Sequence, residues 1–138
     1  MKRQALLGAL LAVPVFAMTL AAHAHHSFAA FDRQQRVTLS GTVKEFQWAN
    51  PHAWIQLVVT EGDVEKEWSI EAGSPNMMQR QGWKSTTLKP GDKIGLVMHP
   101  MLDGSAVGSL VSVTLVGGKV LGPGGVPAPV SGNAPPPQ

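Results

Sequence analysis

Polar and apolar positions alternate through the centre of the chain, and the alternation predicts its elements. Val37, Leu39, Gly41 and Val43 interleave with Thr38, Ser40, Thr42 and Lys44, the period-2 pattern of a strand with one buried face. Phe46 and Trp48 continue in the opposite phase. One extra residue moves every later side chain to the other face, so a bulge is expected near Lys44 and Glu45. "NPH" breaks this strand, and "AWIQLVVT" predicts a second with Ile55, Leu57 and Val59 on one side. "EGD" predicts a turn. "EKEWSIEA" predicts a third strand, with Trp68 and Ile70 inward and Glu67, Ser69 and Glu71 on a solvated face. One short helix follows: Ser74 suits the N-cap, Pro75 the first helical position and Gly82 the stop. After the turn "KPGD" come strands "KIGLVMH" and "GSLVSVTLV", joined by "PMLDGSAV" with its bend at Asp103 and Gly104. Gly117 and Gly118 turn the chain into a last short run, "KVL".

Three strands, a short helix and two strands is the element order of the OB-fold. The expected fold class is therefore all-β with one short helix, a small OB-like five-stranded Greek-key barrel over residues 37–121. A small SH3-like barrel or a partial sandwich would share the periodicity. About 85 residues are enough for one modest core.

The flanks differ in kind. Residues 1–24 read as a signal peptide. Lys2 and Arg3 form its positive start, and the apolar run that follows is interrupted by Gly8 and Pro14, which argues against a permanent membrane span. Ala22-His23-Ala24 is an A-x-A cleavage pattern with the cut before His25; a cut after Ala22 is the runner-up. Export to the periplasm, with no membrane anchor after cleavage, is the expectation. Residues 25–36 then form a short polar, histidine-containing arm. In residues 122–138, ten of 17 positions are Pro or Gly, a composition that predicts a disordered or polyproline-like tail.

Cleavage also changes the charge. Lys2 and Arg3 leave with the leader, so nine basic residues face nine acidic ones, and nucleic acid becomes a poor candidate partner. With no cysteine, the chain has no disulfide, no thiolate metal site and no thiol nucleophile.

Five stretches, "HHSFAAFD", "SGTVKEFQWANPHAWIQL", "WSIEAGSPNMMQRQGW", "LKPGDKIGL" and "HPMLDGSAVGSLVSVTL", carry a resemblance. In this order they resemble a family of small exported bacterial proteins known only as a domain of unknown function. The resemblance runs from about His25 to Leu121. It implies an exported single domain and brings no activity with it.

The candidate chemistry begins at the cut. Cleavage before His25 would place a free α-amine and an imidazole on one residue, and the two can chelate one metal. A third nitrogen, from His26, His52 or His99, would complete a histidine brace. Imidazole nitrogens suit Cu(II), which tops the divalent affinity order. An ordinary imidazole titrates near about 6.5 and an ordinary α-amine near about 7.7–8.0, so proton competition at neutral pH is modest. The alternative cut would begin the chain His23-Ala24-His25, which also binds Cu(II). Against this stands a plainer reading: polar histidines tolerated at a processing site, His52 bonded to loop backbone, and His99 structural.

Met77, Met78, Met98 and Met101 invite a Cu(I) reading, but Met98 continues the apolar face of its strand and a helix methionine suits a barrel plug. Trp48 and Trp54 flank "ANPHA" and, with His52, form a candidate ligand-binding group at one barrel end; core packing is the competing reading. Trp83 is expected to pack the helix down. No G-x-S-x-G, H-E-x-x-H or phosphate-binding glycine loop occurs, Ser27 beside His26 is no triad, and nothing pairs Glu67 with Glu71 across a cleft. The expectation is thus a non-enzymatic periplasmic binding or interaction module, with an unknown small ligand or protein partner and copper as candidate cofactor. The alternatives are a copper-dependent redox enzyme using the same brace, and a structural or adaptor domain without metal.

Overall fold

The computed structural model describes residues 28–123. A 3-10 turn, Phe28–Ala30, precedes strands β1 (Val37–Gln47), β2 (Trp54–Glu61) and β3 (Val64–Glu71). Helix α1 (Pro75–Arg80) follows, then β4 (Lys93–Pro100), β5 (Val107–Thr114) and a two-residue β6 (Val120–Leu121). β1 pairs antiparallel with β2 and β4, β2 with β3, and β4 with β5. A parallel pairing of β3 with β5, from Ser69 opposite Val107 to Glu71 opposite Ser109, closes the circuit. The expected OB-like barrel is therefore observed: five strands close in the order 1-2-3-5-4, and β6 extends the end of β5.

β1 can serve two neighbours because it is long. Its first half, Val37 to Thr42, pairs with β4, and its second half, Thr42 to Gln47, pairs with β2. The predicted bulge lies between Val43 and Glu45 and turns Phe46 back towards the core. Gly41 sits where the partners change over. A Cβ there would collide with the carbonyl oxygen of Val58, so the close approach of the two backbones requires glycine.

The alternating apolar positions meet inside the barrel. Ile55, Leu57, Ile70, Ile94, Leu96 and Met98 are fully buried, each contributing on the order of 1.5–3 kcal/mol of transfer free energy. Trp68 packs partly buried against this core, as its phase predicted. α1 supplies Met78 to the core and leaves Met77 exposed. The helix stops at Gly82, whose φ of 88° is the left-handed conformation expected after a helix C-terminus. Ser74 departs from expectation: it occupies the N-cap position, but its hydroxyl makes no capping bond. Its backbone carbonyl accepts from the Met78 amide, and Pro75 has no N–H to satisfy. Trp83 meets the helix through its backbone N–H, which donates to the Met78 carbonyl at 3.1 Å. It is buried beside Phe46, and its Nε1 donates to the Gly122 carbonyl at 2.9 Å. The Pro123 carbonyl in turn accepts from Gly73 at 2.7 Å, so residues 122 and 123 belong to the folded body. The rest of the expected tail, residues 124–138, lies outside the described residues.

The arm is also more than a polar tether from residue 28 onward. Phe31 is 5% exposed and bridges Met101. Asp32 N–H donates to the Pro100 carbonyl at 2.8 Å, and Leu102 N–H to the Ala30 carbonyl at 3.0 Å. The Asp32 carboxylate folds the following turn by accepting from the Gln34 and Gln35 amides. One apolar side chain and a short ladder thus dock the arm on the end of β4. No helix among the described residues is long and apolar enough to cross a membrane.

Candidate functional site

At one end of the barrel, strand register assembles a row on the outer surface. Trp54 pairs with Glu71, Glu71 with Ser109, and Ser109 with His99. Each neighbours an inward core residue (Ile55, Ile70, Leu110 and Met98), so alternation turns all four outward. β2, β3, β5 and β4 contribute one residue apiece.

His52 is brought to this row by backbone bonds that flank it. The Asn50–Pro51 peptide is cis. Ala53 N–H then donates to the Gly73 carbonyl at 3.0 Å, and Ala72 N–H to the Ala53 carbonyl at 2.8 Å. These bonds fasten the segment between β1 and β2 beside the end of β3. His52 Nδ1 stands 2.5 Å from Glu71 Oε1. A carboxylate oxygen accepts, so Nδ1 is the donor and Nε2 is the nitrogen left with a lone pair in the neutral ring.

The solvated-face reading of Glu67, Ser69 and Glu71 fails at Glu71. Glu67 is exposed and bridges Lys44 at 2.7 Å, and Ser69 Oγ donates to Gln56 Oε1 at 2.6 Å. Glu71 points outward as alternation requires, yet its exposure is only 9%, and it is the one buried charged side chain among the described residues. Its Oε2 is buried without a hydrogen-bond partner. His52 is thus the partner on which this desolvated carboxylate depends, since burying a charge without one is costly.

His99 repeats the arrangement with a different acceptor. Its Nδ1 donates to the Gln35 backbone carbonyl at 2.7 Å. The Nδ1 proton is again committed, Nε2 carries the lone pair, and the bond adds a strut between arm and barrel. His52 is therefore paired with a carboxylate rather than with loop backbone, and His99 with the arm.

The remaining candidates fall as follows. Trp48 packs partly buried against the core and meets Phe46 edge-on, with ring centroids 5.5 Å apart. Trp54 lies in the outward row opposite Glu71. The two tryptophans flank the same segment from opposite faces of the sheet. Met98 is buried core. His25 and His26, like the leader, lie outside the described residues. Among the described residues, no group of three or more His, Asp or Glu side chains could hold a metal ion. A metal centre at this end would need nitrogens from the arm.

Ala30 is fixed beside Leu102, and His25 is five residues further back. Five residues span at most about 16–18 Å. From Ala30 to β3 the steps are Leu102, then Met101 to Val107, then Val107 to Ser69. Three strand spacings are about 14 Å of barrel surface, less across the chord. Sequence reasoning missed Glu71 because its alternation carries no sign of what covers the outer face.

No curated protein matches the chain. A family of unknown function (DUF6152) matches residues 12–110, well over half of the chain, from within the apolar N-terminal run to the middle of β5. The expected kinship is thereby met, and the chain belongs to this family of unknown function, DUF6152.

Proposed function

We propose that this protein is an exported periplasmic binding module that takes copper through an N-terminal histidine released by signal cleavage. The α-amine and the imidazole of His25 would provide two nitrogens, and one downstream imidazole, His52 or His99, a third. The carrying observation is that both downstream rings have Nδ1 committed to an acceptor, at 2.5 Å to Glu71 and 2.7 Å to Gln35. That is how metal-binding histidines are held, with the other nitrogen left for the ion. The docked arm supports the same reading, because it brings the chain towards His25 to the barrel end where these rings sit. The Met98 thioether is fully buried in the core and is not open to an ion.

The test is mass spectrometry of the protein recovered from a periplasm after expression with its leader. The expected species begins at His25 and holds one Cu(II), and His25→Ala loses the metal. A chain that keeps its leader, or that binds copper equally well after His25→Ala, refutes the proposal.

A further inference from the structure

The His52–Glu71 pair allows the proposed site to be specified further. Resting on the copper reading above, we propose that His52 is the downstream ligand, through Nε2, and that Glu71 is its positioning residue. The pair is built unlike that of His99. Glu71 is nine-tenths buried, one oxygen meets His52 Nδ1 and the other meets nothing. A desolvated carboxylate with no second partner directs its whole hydrogen-bonding capacity at the imidazole. It fixes the Nδ1–H tautomer, sets the ring plane and raises the electron density at Nε2.

It also supplies what the other ligands lack. An amine and two imidazoles are neutral, so a bound Cu(II) would keep its full double charge at the barrel surface. A buried carboxylate one imidazole away offsets part of that charge without occupying a coordination position. A backbone carbonyl cannot do this, and the carbonyl of Gln35 is the acceptor that His99 has. His99 already has a sufficient role as the strut that ties residue 35 to β4. His52 is the more accessible half of its own pair, with side-chain exposures of 33% for His52 and 10% for Glu71. The imidazole is thus open to an ion while its support is sealed.

The experiment uses the mature protein from His25, loaded with one equivalent of Cu(II). Affinity is read by competition with a chelator, and the remote nitrogens of bound imidazoles by electron spin-echo envelope modulation. Glu71→Gln keeps an acceptor for Nδ1 but removes the charge. It should weaken Cu(II) by about 10- to 100-fold and alter the quadrupole signature of one remote nitrogen. His52→Gln can still donate to Glu71, so the buried carboxylate keeps a partner, and a cooperative melt confirms the fold. It should remove that remote-nitrogen signal altogether. His99→Ala should loosen the arm and lower affinity while the signal persists. If His52→Gln leaves the signal intact and His99→Ala abolishes it, the assignment to His52 is overturned and the copper reading stands on His99. If the unaltered protein holds copper no more tightly than the His25→Ala variant, both fall together.

Discussion

Gly108 and Met98 offer a stringent check on the packing beneath the row of Glu71, Ser109 and His99. Gly108 pairs with Pro100 in the β4–β5 ladder, next to His99 opposite Ser109. A Cβ on Gly108 would run into the sulfur of Met98 and come within 3.1 Å of both Met98 Cγ and the His99 carbonyl oxygen. Met98 is fully buried, so its side chain has no solvent to swing into. Gly108→Ala alone should therefore destabilise the barrel by about 1–3 kcal/mol through overpacking. Met98→Ala alone removes the obstructing atoms and leaves a cavity, at about 2–5 kcal/mol. Combined, the two changes share one space: the new methyl enters the volume vacated by the sulfur and Cγ. The double variant should be more stable than the sum of the single losses by about 1–3 kcal/mol. The close His99 oxygen limits the recovery, because backbone there is held by the β4–β5 ladder. Urea unfolding followed by circular dichroism measures all four proteins, with an unchanged slope showing that the transition remains comparable. If the two losses add within about 0.3–0.5 kcal/mol, the side chains do not compete for one volume and the packing described for this end of the barrel is wrong.

Three further outcomes follow from other contacts. Gly41→Ala directs its methyl at the Val58 carbonyl oxygen, a backbone atom that cannot rotate away; a loss of at least about 2 kcal/mol is expected by urea titration, and a neutral result would contradict the close approach of β1 and β2. Trp83→Phe retains most of the buried ring but loses the 2.9 Å bond to Gly122; stability should fall by about 1–2 kcal/mol, with faster amide exchange at Leu121, whereas unchanged exchange would separate β6 from the indole. Lys44→Ala removes an ion pair whose side chains are 57% and 46% exposed; the change should stay within about 1 kcal/mol and fade with added salt, and a larger loss would mean that Lys44 supports the bulge in some other way.

Local pattern carried the barrel a long way. The phase switch after Lys44 predicted the bulge, Pro75 and Gly82 bracketed the helix, and alternation set the inward faces of β1 to β4. These features depend on a residue and its near neighbours, where backbone geometry dominates. Ser74 shows the limit even at short range: the residue type suits a cap, but its backbone carbonyl closes the first turn while the hydroxyl makes no capping bond. At longer range the limit is sharper. Alternation correctly turned Glu71 outward, but outward on a strand does not mean exposed. Whether the outer face is wet depends on what lies across it, and here the His52 ring meets the carboxylate. His99 and the carbonyl it grips are 64 residues apart, and no local pattern encodes that contact. Phe31 gave a faint signal, one of two phenylalanines in a polar stretch, which becomes informative only once Met101 is seen beside it.

The candidate chemistry gathers at this end of the barrel for a related reason. Inside the barrel, alternation and apolar burial leave no place for an ionised side chain with a free lone pair. On an open strand face, a carboxylate such as Glu67 is half exposed and bridged to a lysine, and water weakens whatever it does. Glu71 lies between these cases, outward in phase and yet buried, with one imidazole against its carboxylate. Only long-range contacts can make such a position, because a local pattern yields either an inward apolar residue or an outward wet one. A histidine held this way has Nδ1 committed to one acceptor, which leaves Nε2 as the nitrogen open to a ligand. The arm docked on the end of β4 is the segment that, on the proposed reading, would bring further nitrogens to it. On that reading, the barrel would provide the fixed half of a site, and proteolysis at the N-terminus the half that changes.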